Sequence, residues 1–161
     1  MQIYLLRHAI AEASRTGLRD SDRALTPEGA EKLTRVLRCA RAAGVQPSLI
    51  LCSPYRRALQ TAESAAEILR YSGKIVQTPT LTPDASAQDT WDEIRGRREE
   101  SSVLLASHEP LMSALAAFLL DSPSMQIDMK KAAIVRIDCE RLGAKPSGAL
   151  KWMLTPALAG A

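Results

Sequence analysis

Short apolar runs alternate with longer stretches of helical periodicity along this chain of 161 residues. Four of the runs predict strands, at residues 3–6, 49–52, 75–78 and 103–106, and the last of these is the clearest buried strand. Between them, apolar residues recur every three or four positions, which predicts helices. Two later runs, 132–138 and 150–154, predict strands joined by a turn at 143–148, and so short a connection requires an antiparallel pair. The alternation is typical of an α/β domain with a largely parallel sheet.

Hydroxyl residues followed by proline mark the positions where two of the helices should begin. Thr26-Pro27-Glu28 combines a capping hydroxyl, a proline at the first helical position and an acid in the first turn. Gly44 predicts the end of that helix. Ser53-Pro54 predicts a second cap, and the helix that follows it should end near Gly73. Two further helices are predicted, at residues 84–98 and 110–120.

The composition is that of a soluble globular protein, with 46% hydrophobic and 24% charged residues, and the length favours one compact domain over residues 1–161. Neither the start of the chain nor any later apolar run is typical of a signal peptide or a membrane span. Cys39, Cys52 and Cys139 are odd in number and widely spaced, which argues against a disulfide framework or a zinc signature. We therefore expect a cytoplasmic protein whose thiols stay reduced and pack as small apolar side chains.

The net charge of +3 comes from dispersed arginines rather than from a basic run. Aromatic residues make up only 4% of the chain, too few for the stacking surfaces that bind single-stranded nucleic acid. A small anionic ligand is therefore a better expectation than nucleic acid or a membrane surface.

Both histidines of the chain follow predicted strands. His8 comes two residues after the run 3–6, and His108 comes two residues after the run 103–106. Ligands of an open α/β sheet bind in the crevice beyond the carboxyl ends of its strands. A histidine satisfied by an ordinary hydrogen bond would explain either residue alone. Two histidines at two strand ends indicate a functional site at this edge.

Three arginines are predicted to reach the same edge. Arg7 ends a buried strand and therefore needs a partner. Arg57 lies in the first turns of the helix after the second strand, whose positive N-terminus also faces the crevice. Arg23 lies in the loop before Thr26. Several guanidinium groups around one point suit a phosphoryl group, whose oxygens accept bidentate hydrogen bonds.

Four segments that contain these residues resemble, in order, motifs of the histidine phosphatase superfamily. Leu5-Leu6-Arg7-His8-Ala9 resembles its Arg-His-Gly signature, with an alanine that we expect the site to tolerate. Residues 53–61, Ser-Pro-Tyr-Arg-Arg-Ala-Leu-Gln-Thr, resemble its Ser-Pro-x-x-Arg-Ala-x-Gln-Thr block. Residues 104–110 resemble its second histidine motif. Arg23, within residues 21–29, resembles a phosphate-contacting arginine of the short SixA-type phosphohistidine phosphatases.

The resemblance implies a phosphoglycerate mutase-like fold, a three-layer α/β/α arrangement with a mostly parallel central sheet and an antiparallel edge strand. It also implies a phosphatase that forms a covalent phosphohistidine on His8. Arg7, Arg23 and Arg57 would bind the phosphoryl oxygens, and His108 would donate a further hydrogen bond to them. No cofactor or metal is expected. A phosphoglycerate mutase itself is disfavoured, because this chain has little room for the insertions that hold a second phosphate.

The implied substrate is a phosphohistidine-bearing protein, with a small phosphate ester as the alternative. A non-catalytic module that binds phosphorylated ligands on the same fold is a third possibility, against which the intact histidine pair argues. Glu109 has two open interpretations. It is either the catalytic proton donor or an acid that is favoured at a helix N-terminus.

A cysteine phosphatase is the competing enzyme class, because Cys52 precedes an arginine-bearing helix. That chemistry needs five residues between the cysteine and the arginine. The sixth position after Cys52 is Ala58, so the spacing does not fit, and Cys52 is interpreted as a packed strand residue.

Overall fold

The computed structural model describes residues 1–160. Its strands are, in chain order, β1 (Gln2–Arg7), β2 (Leu49–Cys52), β3 (Val76–Gln77), β4 (Ser102–Ser107), β5 (Ile134–Cys139) and β6 (Gly148–Leu154). Its α-helices are α1 (Pro27–Ala42), α2 (Arg56–Leu69), α3 (Ala87–Arg95) and α4 (Leu111–Leu119). Short 3-10 helices lie at Asp20–Asp22 and Pro79–Leu81.

The six strands form one sheet in the order β3-β2-β4-β1-β5-β6. The first four strands pair in parallel, β5 runs antiparallel to β1, and β6 runs antiparallel to β5. The predicted α/β fold with a mostly parallel sheet is confirmed, and so is the late antiparallel pair. The antiparallel strand β5 is not the outermost strand, because β6 pairs on its far side. Since β5 is antiparallel to both β1 and β6, β1 and β6 run in the same direction, and their carboxyl ends lie on the same side of the sheet.

Two apolar cores cover the two faces of the sheet, which gives the three layers. Alternate residues of β1 supply both: Ile3 and Leu5 belong to one core, whereas Tyr4 and Leu6 belong to the other. The first core includes side chains of α3 and α4, and the second includes side chains of α1 and α2. With both faces buried, β1 and β4 are continuously apolar, as central parallel strands usually are. Among residues 1–160, no helix is both long and apolar enough to cross a membrane.

The cap predicted for α1 is confirmed, and the one predicted for α2 is wrong. Thr26 Oγ1 accepts a hydrogen bond from Gly29 N at 3.0 Å, and Gly44 follows the helix with a left-handed φ of +83°. By contrast, α2 begins after Tyr55, with no side-chain cap. The Ser53 hydroxyl is engaged elsewhere, in the candidate site. The same helix ends at Leu69, earlier than predicted, because Arg70 adopts the left-handed conformation.

The first turn of α1 is held close to the loop that leaves β1. Thr26 N donates to Ile10 O at 2.9 Å, and the helix backbone at Gly29 approaches the same residue. A Cβ placed on Gly29 would lie 2.2 Å from Ile10 O. Only glycine therefore allows α1 to pack this closely against the segment after His8.

Gly29→Ala should lower the free energy of unfolding by roughly 1–3 kcal/mol, because the added methyl group meets backbone that cannot rotate away. Urea unfolding followed by circular dichroism would measure this. Gly143→Ala is the matched control, since its Cβ would meet nothing nearer than 3.6 Å. An unchanged stability of Gly29→Ala would show that the loop at Ile10 can move aside without cost.

Candidate active site

His8 is fixed at the carboxyl end of β1 by backbone hydrogen bonds on two sides. His8 N donates to Ser107 O at 2.8 Å, at the end of β4, and His8 O accepts from Ala132 N at 3.2 Å. The side chain is 7% exposed. The strand ends therefore bring the imidazole to the predicted edge and hold its backbone there.

The hydrogen bonds of the His8 ring determine which nitrogen carries the proton. Nδ1 lies 2.7 Å from the carbonyl oxygen of Ala9, and a carbonyl can only accept, so Nδ1 is the protonated nitrogen. Arg57 Nε, which can only donate, lies 3.3 Å from His8 Nε2. Both contacts require the same tautomer. The neutral ring therefore directs the lone pair of Nε2 toward Arg57.

The environment of His8 favours this neutral form. Burial lowers its pKa to about 4, and the charges of Arg57, Arg7 and Lys131 act in the same direction. The hydrogen bond to the Ala9 carbonyl opposes them. Near pH 7 the imidazole is therefore unprotonated at Nε2, which is the state that a nucleophile requires.

His108 lies beside His8, with ring centroids 5.0 Å apart. It is 1% exposed, and its Nε2 lies 2.8 Å from Ser53 Oγ. Burial lowers the pKa of His108 to about 3, with further lowering by His8 and Arg57. Both imidazoles of the chain are thus brought together, and both are neutral near pH 7.

The Ser53 hydroxyl assigns the tautomer of His108. Ser53 Oγ accepts from Tyr55 N at 3.3 Å, and within residues 1–160 its own proton has no other acceptor than His108 Nε2. We therefore assign Oγ–H as the donor to Nε2, which places the ring proton on Nδ1. Nδ1 is buried and has no hydrogen-bond partner in the described part of the chain. The ring therefore presents a buried N–H that no described residue accepts and that is available to a ligand.

Arg57 and Arg23 converge on a single carboxylate, that of Asp20. Arg57, which is 4% exposed, donates to Asp20 O at 2.6 Å and to Asp20 Oδ2 at 2.9 Å. Arg23 donates to Asp20 Oδ1 at 2.9 Å and to Glu12 O at 2.8 Å. Burial raises the pKa of Asp20, but the hydrogen bonds and charges of Arg57 and Arg23 lower it below its ordinary value. An anionic group therefore already sits between the two guanidinium groups.

Arg7 lies at the side of the site next to the loop before β5. Its Nη1 donates to Met129 O at 2.5 Å, whereas its buried Nε has no partner among residues 1–160. Its charge acts on His8. The contacts of Arg7 thus leave hydrogen-bonding capacity for a ligand.

The contacts of Glu109 favour the helix-terminal interpretation over a catalytic one. Its carboxylate accepts from Ser113 N at 3.1 Å and from Ser113 Oγ at 2.5 Å. Ser113 lies in the first turn of α4, so the carboxylate satisfies a helix-terminal N–H. Both oxygens are thus engaged by Ser113.

The sequence reasoning missed three residues of the site. Ser53 was assigned to a helix cap, although it holds His108. Tyr55 packs edge-on against His108 at 5.0 Å, and the Arg57 guanidinium lies 5.1 Å from the centre of its ring, within the range of a cation–π contact. Asp20, which binds both Arg57 and Arg23, is the third. The signal available for Asp20 was its position three residues before Arg23 in a polar loop.

The cysteines agree with the predictions in two of three cases. Cys52 and Cys139 are buried, but Cys39 is exposed, contrary to the expectation that all three pack inside. Burial raises the pKa of the Cys52 thiol to about 11, far from the thiolate that a cysteine phosphatase needs. In the residues that the structure describes, no three His, Cys, Asp or Glu side chains are grouped so that they could hold a metal ion.

Comparison with known proteins agrees with this geometry. The sequence profile of the histidine phosphatase superfamily (branch 1) matches residues 3–82, the segment that holds His8, Arg23 and Arg57. The phosphohistidine phosphatase SixA of Escherichia coli (strain K12) is 28% identical over 160 residues, which covers 97% of this chain and 94% of that protein. The chain belongs to the histidine phosphatase superfamily. Membership supports phosphatase activity for the site just described.

Solved structures of the superfamily share the fold. A structure of the protein histidine phosphatase SixA complexed with tungstate is 26% identical, with a TM-score of 0.83 and coverage of 98% of both chains. The α-ribazole phosphatase of Shigella flexneri is 17% identical, with a TM-score of 0.75 and coverage of 97% of both chains. The second likeness concerns the fold alone. The phosphoglycerate mutase-like architecture is therefore confirmed.

The two buried histidines should make stability depend on pH. Both have folded-state pKa values below the ordinary 6.5, at about 4 and about 3. Between these values and pH 6.5 the unfolded chain binds protons that the folded protein does not. The free energy of unfolding should therefore rise with pH in this range, and the contribution of the two histidines should level off above pH 6.5. The slope should be at most roughly 1.4 kcal/mol per pH unit for each histidine.

Urea unfolding at pH 5.0, 5.5, 6.0 and 6.5 would measure this slope. His8 and His108 are the two histidines of the chain, so this interval isolates them from carboxylates, which titrate lower. His108→Gln should remove about half of the slope. A free energy of unfolding that stays constant over the interval would contradict the neutral, buried state of both rings.

Proposed function

We propose that the protein hydrolyses phosphohistidine on another protein through a covalent phosphohistidine on its own His8. The observation that carries this proposal is the lone pair of His8 Nε2, unprotonated and held beside Arg57, with the unpartnered Nδ1–H of His108 in the neighbouring ring. A nucleophile, fixed cations and an unused donor are the components that phosphoryl transfer requires. The similarity to SixA of Escherichia coli supports the choice of substrate.

In the first step, the Nε2 lone pair attacks phosphorus as the bond to the leaving nitrogen breaks in line. The substrate ring reacts with a proton on its other nitrogen, so the electron pair of the broken bond leaves it as a neutral imidazole. The Ala9 carbonyl holds the Nδ1 proton of His8 throughout and thereby stabilises the positive charge that the phosphorylated ring acquires. His108 Nδ1–H, Arg57, Arg23 and Arg7 donate to the phosphoryl oxygens.

In the second step, water attacks the phosphorus of phospho-His8. The P–Nε2 bond breaks, its electron pair returns to Nε2, and the protons of the water leave with phosphate and solvent. Because the pKa lowered by burial keeps His8 neutral, the released ring needs no deprotonation before the next cycle. No metal takes part in either step.

The phosphohistidine substrate also accounts for the state of Glu109. The conjugate acid of imidazole has a pKa of about 6.5, so a substrate ring that already carries a proton on its other nitrogen departs as neutral imidazole without a further general acid. The Glu109 carboxylate can then remain bound to Ser113. We therefore assign Glu109 to the start of α4 rather than to proton donation.

His8→Ala should lower turnover of a phosphohistidine protein by roughly 10³-fold or more, because the covalent route is lost. A rapid acid-free quench of wild-type protein with ³²P-labelled substrate should trap alkali-stable, acid-labile phosphate, and mass spectrometry should locate it on His8. The variant should trap none. Full activity of His8→Ala, or a trapped phosphate on another residue, would overturn the proposal.

The same assay tests the substrate class. A panel of small phosphate esters measured beside the phosphohistidine protein, with and without EDTA, distinguishes the alternatives. Higher kcat/KM on an ester than on the protein would favour a phosphometabolite, and binding without turnover on either would favour a non-catalytic module.

We further propose that the substrate's phosphoryl oxygens replace the Asp20 carboxylate between Arg57 and Arg23. Asp20→Asn should then tighten the binding of tungstate, a phosphate mimic, by roughly three- to tenfold, because a competing negative charge is removed. Isothermal titration calorimetry would measure the dissociation constant. Asp22→Asn is the matched control, since Asp22 pairs with Arg19 instead.

Weaker tungstate binding by Asp20→Asn would contradict this assignment. It would show that Asp20 organises the two arginines without occupying the phosphoryl position.

A further inference from the structure

A second concave surface adjoins the active site on the side of β5 and β6. This basic pocket has a volume of about 560 Å³, and its lining includes Arg7, Lys32, Lys130, Lys131, Ile10 and Pro156. Four of the eight residues that line it carry a positive charge. Arg7 ends β1, and Pro156 follows the end of β6. Because β1 and β6 end at the same edge of the sheet, the basic pocket opens at the edge where His8 lies.

Two of the four cations have no anionic partner among residues 1–160. Lys32 pairs with Glu28 at 2.7 Å, and Lys130 pairs with Asp128 at 2.6 Å. Within residues 1–160, Arg7 and Lys131 have no carboxylate within 4.0 Å, and the Arg7 Nη1 bond goes to a neutral carbonyl. The pocket therefore carries about two uncompensated positive charges beside the site.

The position of Lys131 is determined by its neighbours in the chain. Ala132 N donates to His8 O at 3.2 Å, and Arg7 N donates to Ala133 O at 3.0 Å. Between them Ala132 adopts a left-handed φ of 64°, which costs roughly 1–2 kcal/mol for a residue with a side chain. The backbone on the C-terminal side of Lys131 is thus bound to the residue that carries the proposed nucleophile. Lys131 is itself exposed and free to meet a ligand.

We propose that the basic pocket binds an acidic side chain of the phosphorylated protein, close in sequence to its phosphohistidine. This inference rests on the proposed function and specifies its substrate. Arg7 and Lys131 supply the charge for a carboxylate, and Ile10 and Pro156 supply an apolar wall for its methylene groups. An extended peptide advances about 3.3–3.6 Å per residue, so an acid one to three residues from the phosphohistidine lies within roughly 11 Å of it along the chain.

The test compares two labelled peptides that differ only in charge. Each contains a stable phosphonate analogue of phosphohistidine, flanked by glutamate at the second residue on both sides or by glutamine at the same positions. Fluorescence anisotropy measures the dissociation constants at low ionic strength. The wild-type protein should bind the glutamate peptide roughly three- to tenfold more tightly. Lys131→Gln should abolish this preference, and Lys131→Glu should reverse it.

Lys145→Gln is the matched control. Lys145 is a lysine of the connection between β5 and β6, at the opposite edge of the sheet. This variant removes the same net charge and should keep the preference. If Lys145→Gln lost the preference for glutamate as fully as Lys131→Gln, the preference would depend on the net charge of the protein and not on position 131. That result would overturn the proposal.

The readout is binding, so it separates this inference from the proposed reaction. Equal affinity of the wild type for the two peptides, or a preference that Lys131→Gln retains, would overturn the acidic subsite even if phosphohistidine is hydrolysed. A preference for glutamate that depends on Lys131 would support the subsite even if turnover of phosphohistidine proteins failed.

Discussion

The hydrogen bond from His8 Nδ1 to the Ala9 carbonyl determines which nitrogen of the ring can react. Because that bond fixes the proton on Nδ1, the lone pair of Nε2 points toward Arg57. Ala9 is in turn tied to α2, since its N–H donates to Thr61 Oγ1 at 3.3 Å and that hydroxyl donates to Arg57 O at 2.7 Å. The helix that carries Arg57 thus also holds the residue that orients His8. The nucleophile and its nearest cation cannot shift independently.

The backbone conformation of residue 9 explains why alanine can stand where the family signature has glycine. The left-handed φ values of non-glycine residues that the structure describes are at Arg70, Asp121 and Ala132, so Ala9 has an ordinary backbone conformation. Its methyl group is fully buried in the core that α1 and α2 share with the sheet. What the chemistry needs from this position is a carbonyl in the right place, which an alanine supplies as well as a glycine.

The location of the site could be predicted from the sequence, but most of the hydrogen bonds between its residues could not. The apolar runs before His8 and His108 are continuous because both faces of their strands are buried, so the positions where these strands end could be predicted. The position of Arg57 on the next helix followed from the same pattern. The role of Ser53 could not be predicted, because a hydroxyl before proline looks like a cap until the fold places His108 at 2.8 Å. The role of Asp20 could not be predicted either, because its partner Arg57 is 37 positions away in the sequence and only the fold brings the two together.

Arg7 takes part in both the proposed reaction and the proposed acidic subsite. Its guanidinium adjoins the proposed nucleophile on one side and lines the basic pocket on the other, and Met129 O fixes its orientation between them. A substitution there would alter chemistry and recognition together. Lys131 is different, because its side chain is exposed and acts on His8 only through its charge, whereas its backbone neighbours bind the site. We therefore expect charge at position 131 to change which protein is recognised while the residues that surround the phosphoryl group stay the same.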